Sequence, residues 1–397
     1  MWKYKNSFAE DIEGVVHIYL NENTYYQNGY AYGKLLKQAD PQIINICKSW
    51  QMRFIASGLY FFKKKSLNKI KVPKEYLDEI KGYSDATGVS FKFIWVANFA
   101  YDIFVKMAMR CSTFSFFNKS NTIVGHNTDM IPLFTKLCLK YTKPLVVETC
   151  VPGKNKFVNF SLPFMVGSVN GFNEYGISIN TQQVMHLKPE GAFDKWPTSI
   201  FIRRLLEVTQ TLNDAENFML LNKPNRALNI MVISSSEKAS QLYQINAFEV
   251  DCVSYTNSKY SFCTTFFITP IMQRYLLYIL KPPHMRYASL DNMLQKKDTS
   301  SVFSIKDGIS ILKDTSNGLK RGYSMSNVGT WQSFIYDLNN FSIYISNAKE
   351  NPASLNGKFI KLNPKFKLKQ KQFVNSFNNI DNSSIVFLSY LEYKSNF

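Results

Sequence analysis

No stretch of about eighteen apolar residues occurs in this sequence, and a membrane span is therefore not expected. The opening MWKYKNSFAEDIEG lacks both an apolar h-region and a small-residue cleavage site, so no secretory signal is read there and a cytoplasmic location is expected. The six cysteines (Cys47, Cys111, Cys138, Cys150, Cys252, Cys263) show no CxxC spacing, which argues against a disulfide framework or a zinc site and for a reducing interior. Histidine is nearly absent: the chain has four, His17, His126, His186 and His284, none in a recognisable catalytic context. Acidic residues are outnumbered, 29 against 47 Lys and Arg, giving a formal charge of +18. No helix-turn-helix, zinc-finger or RNA-recognition signature accompanies that charge, so no specific nucleic acid is expected.

What is present is enough apolar sequence, 45% of 397 residues, for one large domain or two ordinary ones with a sizeable core. The basic charge is densest in FFKKKSLNKIKVPK (Phe61 to Lys74) and KFIKLNPKFKLKQKQF (Lys358 to Phe373), where aromatics alternate with lysines. Such a surface could attract nucleic acid or anionic lipid, but solvated charge in a Lys/Asn-rich composition is the favoured reading.

The first hundred residues read as mostly helical. Apolar residues recur at helical spacing in Gly29 to Ala39, resume after Pro41, and return in PKEYLDEIKGYSDATG, with Pro73 suited to a first turn and Gly88 to a stop. A third helix, Ser90 to Met109, leads directly into Cys111. From Cys111 to about Val184 the texture changes to short β-branched and aromatic runs such as TFSFF, TIVGH, PLVVETC and ISINTQQV. Helix is expected again over Trp196 to Leu221, then strands, a helix over Pro270 to Leu280, another at SIKDGISILKD, and a late hairpin turning at Asn339-Asn340. The alternation implies an α+β body of packed layers.

Cys111 opens a strand–turn–strand segment, RCSTFSFFNKSNTIVGHNTD, that closes on Asp129. The hairpin brings Asp129 back beside Cys111. A carboxylate next to a thiol raises the thiol's pKa, which is wrong for a bare nucleophile. It is useful if an amine also sits there. An N-terminal cysteine supplies one, with an α-amino pKa of roughly 7.7–8.0. The amine can take the thiol's proton while the aspartate orients the amine.

At this point the sequence resembles the cysteine N-terminal-nucleophile (Ntn) hydrolases. The branch is that of the penicillin-forming acyl-CoA:6-aminopenicillanic acid acyltransferase, acid ceramidase, N-acylethanolamine acid amidase and, more distantly, choloylglycine hydrolase. Leu77 to Phe104 is similar to the family's propeptide stretch. RCSTF resembles the nucleophile start, GHNTDM the GxNxD segment, VGSVNGFNEYGISIN the Gly-rich strand pair, and SYTNSKY the Thr-Asn motif. TWQSFIYDL resembles the final hairpin, and the step from Cys111 to Asp129, 129 minus 111 or 18 residues, is the acyltransferase spacing.

The resemblance implies an αββα sandwich of two antiparallel sheets between helical layers. Residues 1–110 would be a helical pro-segment, removed or retained as an associated subunit, and 111–397 the catalytic domain. Cleavage of Arg110–Cys111 would free the nucleophile. Cys111, Asp129 and Asn257 would be catalytic, Asn257 as an oxyanion donor; His126, Asn180 and Arg274 would contact substrate. The reaction would be hydrolysis or acyl transfer on a small N-acyl amide through a Cys111 thioester, with no metal or cofactor and a homo-oligomer left open. His126 stands where much of the family carries arginine. With an ordinary pKa of about 6.5 it would be neutral near pH 7.5 and increasingly charged at pH 5.5. Two other readings stand beside this one: a silent Ntn-fold protein using its basic surface to bind nucleic acid or anionic lipid, and an intrachain cysteine hydrolase with a histidine base.

Overall fold

The computed structural model describes residues 1–67, 69–103, 110–184, 195–276, 281–298, 303–369 and 386–388. Two sheets carry the architecture. The larger has ten strands, in the order Trp2–Tyr4, Ser7–Ile12, Val15–Asn21, Leu145–Cys150, Phe157–Ser161, Asn170–Asn173, Ile177–Gln183, Leu228–Ser234, Ala239–Ile245 and Val250–Tyr255. The smaller has six: Tyr260–Cys263, Ser112–Phe117, Thr122–Asp129, Thr330–Asp337, Ser342–Ser346 and Phe359–Leu362. Pairing within both is antiparallel except where Val15–Asn21 runs parallel to Leu145–Cys150.

Strand alternation assigns each face. Phe160, Phe172, Met231 and Ile233 of the larger sheet meet Val124, Phe334 and Tyr336 of the smaller, and this layer is the inter-sheet core. Phe114, Phe116 and Ile123 turn the other way, onto helices Lys281–Asp298 and Ile305–Leu312. Ile177, Ile179, Ile230 and Val232 turn onto an outer layer that includes Tyr25–Ala39, Lys74–Thr87 and Thr198–Val208. The fold is α+β, helices over sheet over sheet over helices. Among the described residues no helix is long and apolar enough to cross a membrane.

The largest difference from the sequence reading lies at the N-terminus. Residues 2–21 are three strands rather than a helical lead-in. Glu13 and Gly14 both take positive φ, +49° and +87°, which is the two-residue hairpin geometry whose twist matches the strands it joins. The parallel pairing with Leu145–Cys150 then ties this hairpin into the body of the larger sheet. Helices Tyr25–Ala39 and Lys74–Thr87 cross at two glycines, where a Cβ on Gly29 would strike the Glu79 carbonyl and one on Gly82 the Tyr26 carbonyl. Helix Lys74–Thr87 ends on Gly88 at φ +71°, as read, while Pro73 caps its start. The Trp196 to Leu221 stretch splits into Thr198–Val208 and Leu212–Leu221, the second opened by a capping box of Thr211 and Asp214. The Pro270 helix is short, Pro270–Gln273, and residues 277–280 of the expected span lie outside the described residues. The late hairpin forms where expected.

Residues before Cys111 are riveted to those after it. Arg203, fully buried, binds Glu79 at 2.7 Å and Glu207 at 2.9 Å, and donates to the Val166 carbonyl. Tyr76 donates to Glu207 at 2.6 Å. Asn98 donates to the Phe164 carbonyl and accepts from the Val166 amide. Breaking a buried ion pair by removing one partner typically costs about 3–5 kcal/mol, because the remaining charge is left uncompensated. Glu79→Ala leaves Arg203 with Glu207 and without its contact to the segment before Cys111, and should lower the urea midpoint in an uncleaved Cys111→Ala background, by less than the loss of both carboxylates would. An unchanged midpoint would show that the contact contributes little to holding the two parts together.

Candidate active site

Cys111 sits at the head of strand Ser112–Phe117, an inner strand of the smaller sheet, and is 2% exposed. The partner strand Thr122–Asp129 returns antiparallel, with Ser112 opposite Asn127 and Thr113 opposite His126. Arg110 continues the pairing by donating its amide to the Asp129 carbonyl at 3.0 Å. The missing Cβ of Gly125 makes room for the Phe114 ring.

The Asp129 carboxylate is fully buried and fully engaged. It accepts from Arg286 at 2.7 Å, from Asn327 at 2.8 Å and from the Thr330 hydroxyl at 2.7 Å. Burial raises its pKa, opposed by those three partners, with the balance still above the ordinary value. The same Arg286 nitrogen also donates to the Arg110 carbonyl oxygen at 3.1 Å. One guanidinium thus holds both the carboxylate and the carbonyl of the Arg110–Cys111 peptide. Arg286 itself is 0% exposed.

Burial first, and then the charge of Asp129, push the Cys111 thiol up to about 12. The Asp129 amide, Arg286 and Arg321 pull against this without overcoming it. The thiol is therefore protonated near neutrality and needs a base to react. His126 is not that base. Burial, then the charge of Arg286, drive its pKa down to about 3, so the charging expected at pH 5.5 does not occur. Its Nδ1 lies 2.8 Å from the Thr113 hydroxyl, and its ring stacks on Phe334 at 5.0 Å. His17 lies between Glu10 and Glu148, His284 stacks on Phe266 at 3.9 Å, and His186 lies outside the described residues.

Of the expected site residues, the structure brings Cys111, Arg110, Asp129 and His126 together. Asn180 is nearby but committed: fully buried, it donates to Ser178 at 2.8 Å and to Tyr336 at 3.0 Å. Gln182, one pleat further along, is the residue of this strand that reaches Thr113. Asn257 is a correction. It is an exposed turn residue with φ +62°, at the opposite end of the nucleophile strand, where Phe117 donates to the Lys259 carbonyl. Register explains the displacement, since Cys263, not the Thr-Asn turn, pairs with Thr113. Asn257→Gly, which keeps the positive φ, should leave amide turnover within about twofold of wild type, far from the 10²–10³ loss of an oxyanion donor. A loss of that larger size would return Asn257 to the reaction. Arg274 is also a correction: its side chain is 59% exposed and its guanidinium binds Glu249 at 2.6 Å.

An αββα sandwich with its cysteine at the head of an inner strand is the architecture of the Ntn hydrolases. Within that class the chain belongs to the acyl-coenzyme A:6-aminopenicillanic acid acyl-transferase family, whose model matches residues 116–352. It is accordingly an enzyme of linear amide hydrolysis or acyl transfer. The matched span begins five residues after Cys111 (116 minus 111). No curated protein matches the chain significantly. Among solved structures it is similar to the Caenorhabditis elegans ortholog of N-acylethanolamine-hydrolyzing acid amidase, at 15% identity and TM-score 0.44, covering 58% of this chain and 93% of that one. A mutant of conjugated bile acid hydrolase from Clostridium perfringens gives 12% and 0.41, covering 66% and 100%. Penicillin V acylase from Agrobacterium tumefaciens gives 11% and 0.34, covering 60% and 83%.

The residues that sequence reasoning missed are Arg286, Asn327, Thr330 and Gln182. Arg286 lies in KPPHMRY, whose two prolines look like a loop, yet they sit in the first turn of helix Lys281–Asp298, where proline is tolerated. Asn327 lies just before the late hairpin and Thr330 is the first residue of its strand Thr330–Asp337; the TWQSFIYDL resemblance marked the hairpin without marking either side chain as a partner of Asp129.

Proposed function

We propose that the chain is a self-processing cysteine amidase or N-acyltransferase that cuts its own Arg110–Cys111 bond and then acts on small N-acyl amides. One observation carries this reading: the Arg110 carbonyl oxygen is held by Arg286 while the Cys111 thiol of the same peptide lies beside Asp129. In the first step the Cys111 sulfur attacks the Arg110 carbonyl carbon. The carbon–sulfur bond forms as the carbon–nitrogen bond breaks, and the thiol proton passes to the departing Cys111 nitrogen. Water then opens the thioester, giving an Arg110 carboxylate and a free Cys111 thiol and amine. That amine supplies the base His126 does not. On a substrate amide the same sulfur forms an acyl thioester, resolved by water or by an acceptor amine. The buried contacts of Arg203 and Asn98 support retention of residues 1–110 as an associated subunit after the cut. The test is N-terminal sequencing of aged protein. A second terminus reading Cys-Ser-Thr-Phe, together with thiol-dependent hydrolysis of simple acyl amides, is expected. Amide hydrolysis by a chain that never cleaves would overturn the N-terminal-amine mechanism.

A further inference from the structure

The pairing that brings Asp129 to Arg110 has a second consequence. Ser112 faces Asn127 and Arg110 bonds to Asp129, so Cys111 falls opposite Thr128. On the far side of that strand Gln332 pairs with Thr128 and Phe334 with His126, across an irregularity at Trp331. Alternate residues share a face. Thr128 and Gln332 therefore form one row beginning at Cys111, and Thr113, His126 and Phe334 form the next. This face looks into the space between the sheets, because Phe334 stacks on Phe160 of the larger sheet at 3.8 Å. Thr128, His126 and Gln332 are 1%, 0% and 3% exposed. Among the described residues, Thr128 Oγ1, His126 Nε2 and Gln332 Nε2 each have no hydrogen-bond partner. Three unpartnered polar atoms in adjoining rows beside a nucleophile are costly as pure structure, at about 1–3 kcal/mol each.

Hydrogen bonding bears on what they offer. The Cys263 thiol donates to Gln182 Oε1 at 2.8 Å, and Gln182 Nε2 donates to the Thr113 hydroxyl. The hydroxyl can pass its own hydrogen to His126 Nδ1, and that arrangement places the ring hydrogen on Nε2. Burial and Arg286 hold its pKa at about 3, so His126 is neutral from pH 5 to 8 and in that tautomer offers Nε2–H as a donor. Gln332 Nε2 is a donor and the Thr128 hydroxyl can be one. Arg286, the charge that acts on His126, is paired with Asp129 at 2.7 Å, and Arg321, which also acts on the Cys111 thiol, donates to the Met130 carbonyl at 3.1 Å.

Resting on the reading above, we infer that His126, Thr128 and Gln332 form a subsite for an uncharged, hydrogen-bond-accepting oxygen on the acyl part of the substrate. Opposite residues in such a ladder lie about 5 Å apart, so the oxygen would sit within two or three bonds of the scissile carbonyl. The chemical class is an N-acyl amide with an ether, hydroxyl or carbonyl oxygen near the head of the acyl chain, in preference to a plain alkyl or an anionic one. A buried polar site discriminates against an analogue lacking its partner because its own groups are then left unpaired.

The experiment compares methoxyacetyl and butanoyl amides of one chromogenic amine, which differ only by an oxygen in place of a methylene, with the succinyl amide as the anionic arm. Wild type should favour methoxyacetyl over butanoyl by at least about tenfold in kcat/KM. Gln332→Leu and Thr128→Val should bring the ratio towards one. The preference should be flat from pH 5 to 8. Equal rates on the two isosteres, a preference for the succinyl amide, or an unchanged ratio in both variants would overturn the subsite. A thermal-shift comparison of methoxyacetamide with butanamide reads the same preference without turnover. It decides for or against the subsite even if self-cleavage and amidase activity fail, so the two readings fall separately.

Discussion

Cys111→Ala should remain a single chain of 397 residues under conditions in which wild type separates into 110 and 287 (397 minus 110). The variant should also show no amide turnover above background. Both losses follow from one atom, because the sulfur that would open the Arg110 carbonyl would later carry the acyl group. Alanine should be accommodated in the fold, since Cys111 is a small side chain at a strand head and the body is held elsewhere. Denaturing electrophoresis and intact mass read the cleavage. Gel filtration reads a second expectation, that the two wild-type fragments elute together. The N-terminal strands Ser7–Ile12 and Val15–Asn21 belong to the larger sheet, and Arg203 holds Glu79 across the cut. A Cys111→Ala chain that still separates at residue 110 would assign the cut to another agent. Fragments that part on the column would show that the buried contacts do not hold them.

The parts of this site visible in the sequence are those governed by short-range pattern. Cys111 and Asp129 lie at the two ends of one hairpin, so alternation and a polar turn suffice to bring them together. The late hairpin and the Ile305–Leu312 helix, opened by a capping box of Ser304 and Asp307, were legible for the same reason. Long-range register was not. Asn257 was expected as an oxyanion donor because SYTNSKY resembles the family's Thr-Asn motif. The pairing of Cys263 with Thr113 places that motif at the wrong end. Arg286 is 157 residues from Asp129, and nothing local marks it among 47 basic residues. The N-terminal strands were hidden by a different effect. Glu13-Gly14 is a weaker hairpin signal than Asn-Gly or Asp-Gly, and the parallel pairing beyond it requires Leu145–Cys150, which no local pattern connects to residue 15. His126 shows the limit for chemistry: its ordinary pKa is a property of the residue type, whereas its value near 3 is set by burial and Arg286.

Arg286 should prove nearly as important to self-cleavage as Cys111. Its guanidinium already donates to the Arg110 carbonyl at 3.1 Å, the oxygen on which negative charge would develop when sulfur attacks. A donor aimed at such an oxygen in a buried site is worth roughly 10²–10³ in rate. Arg286→Gln alone confounds two effects, because it also leaves the Asp129 carboxylate buried without its counter-ion, a change that typically costs about 3–5 kcal/mol of stability. The double variant Arg286→Gln/Asp129→Asn removes both charges and keeps two amides able to bond to each other and to Asn327 and Thr330. Arg286→Lys supplies the complementary case, retaining the charge beside Asp129 while replacing the planar fork with a single ammonium. Self-cleavage, followed by the appearance of the 110-residue fragment, should slow by about 10²–10³ in the double variant, with the folded state intact by near-UV circular dichroism. The lysine variant should fall between the double variant and wild type. Cleavage at the wild-type rate in the folded double variant would reduce Arg286 to a counter-ion for Asp129. The polarisation of the Arg110 carbonyl would then have to come from the backbone around Cys111.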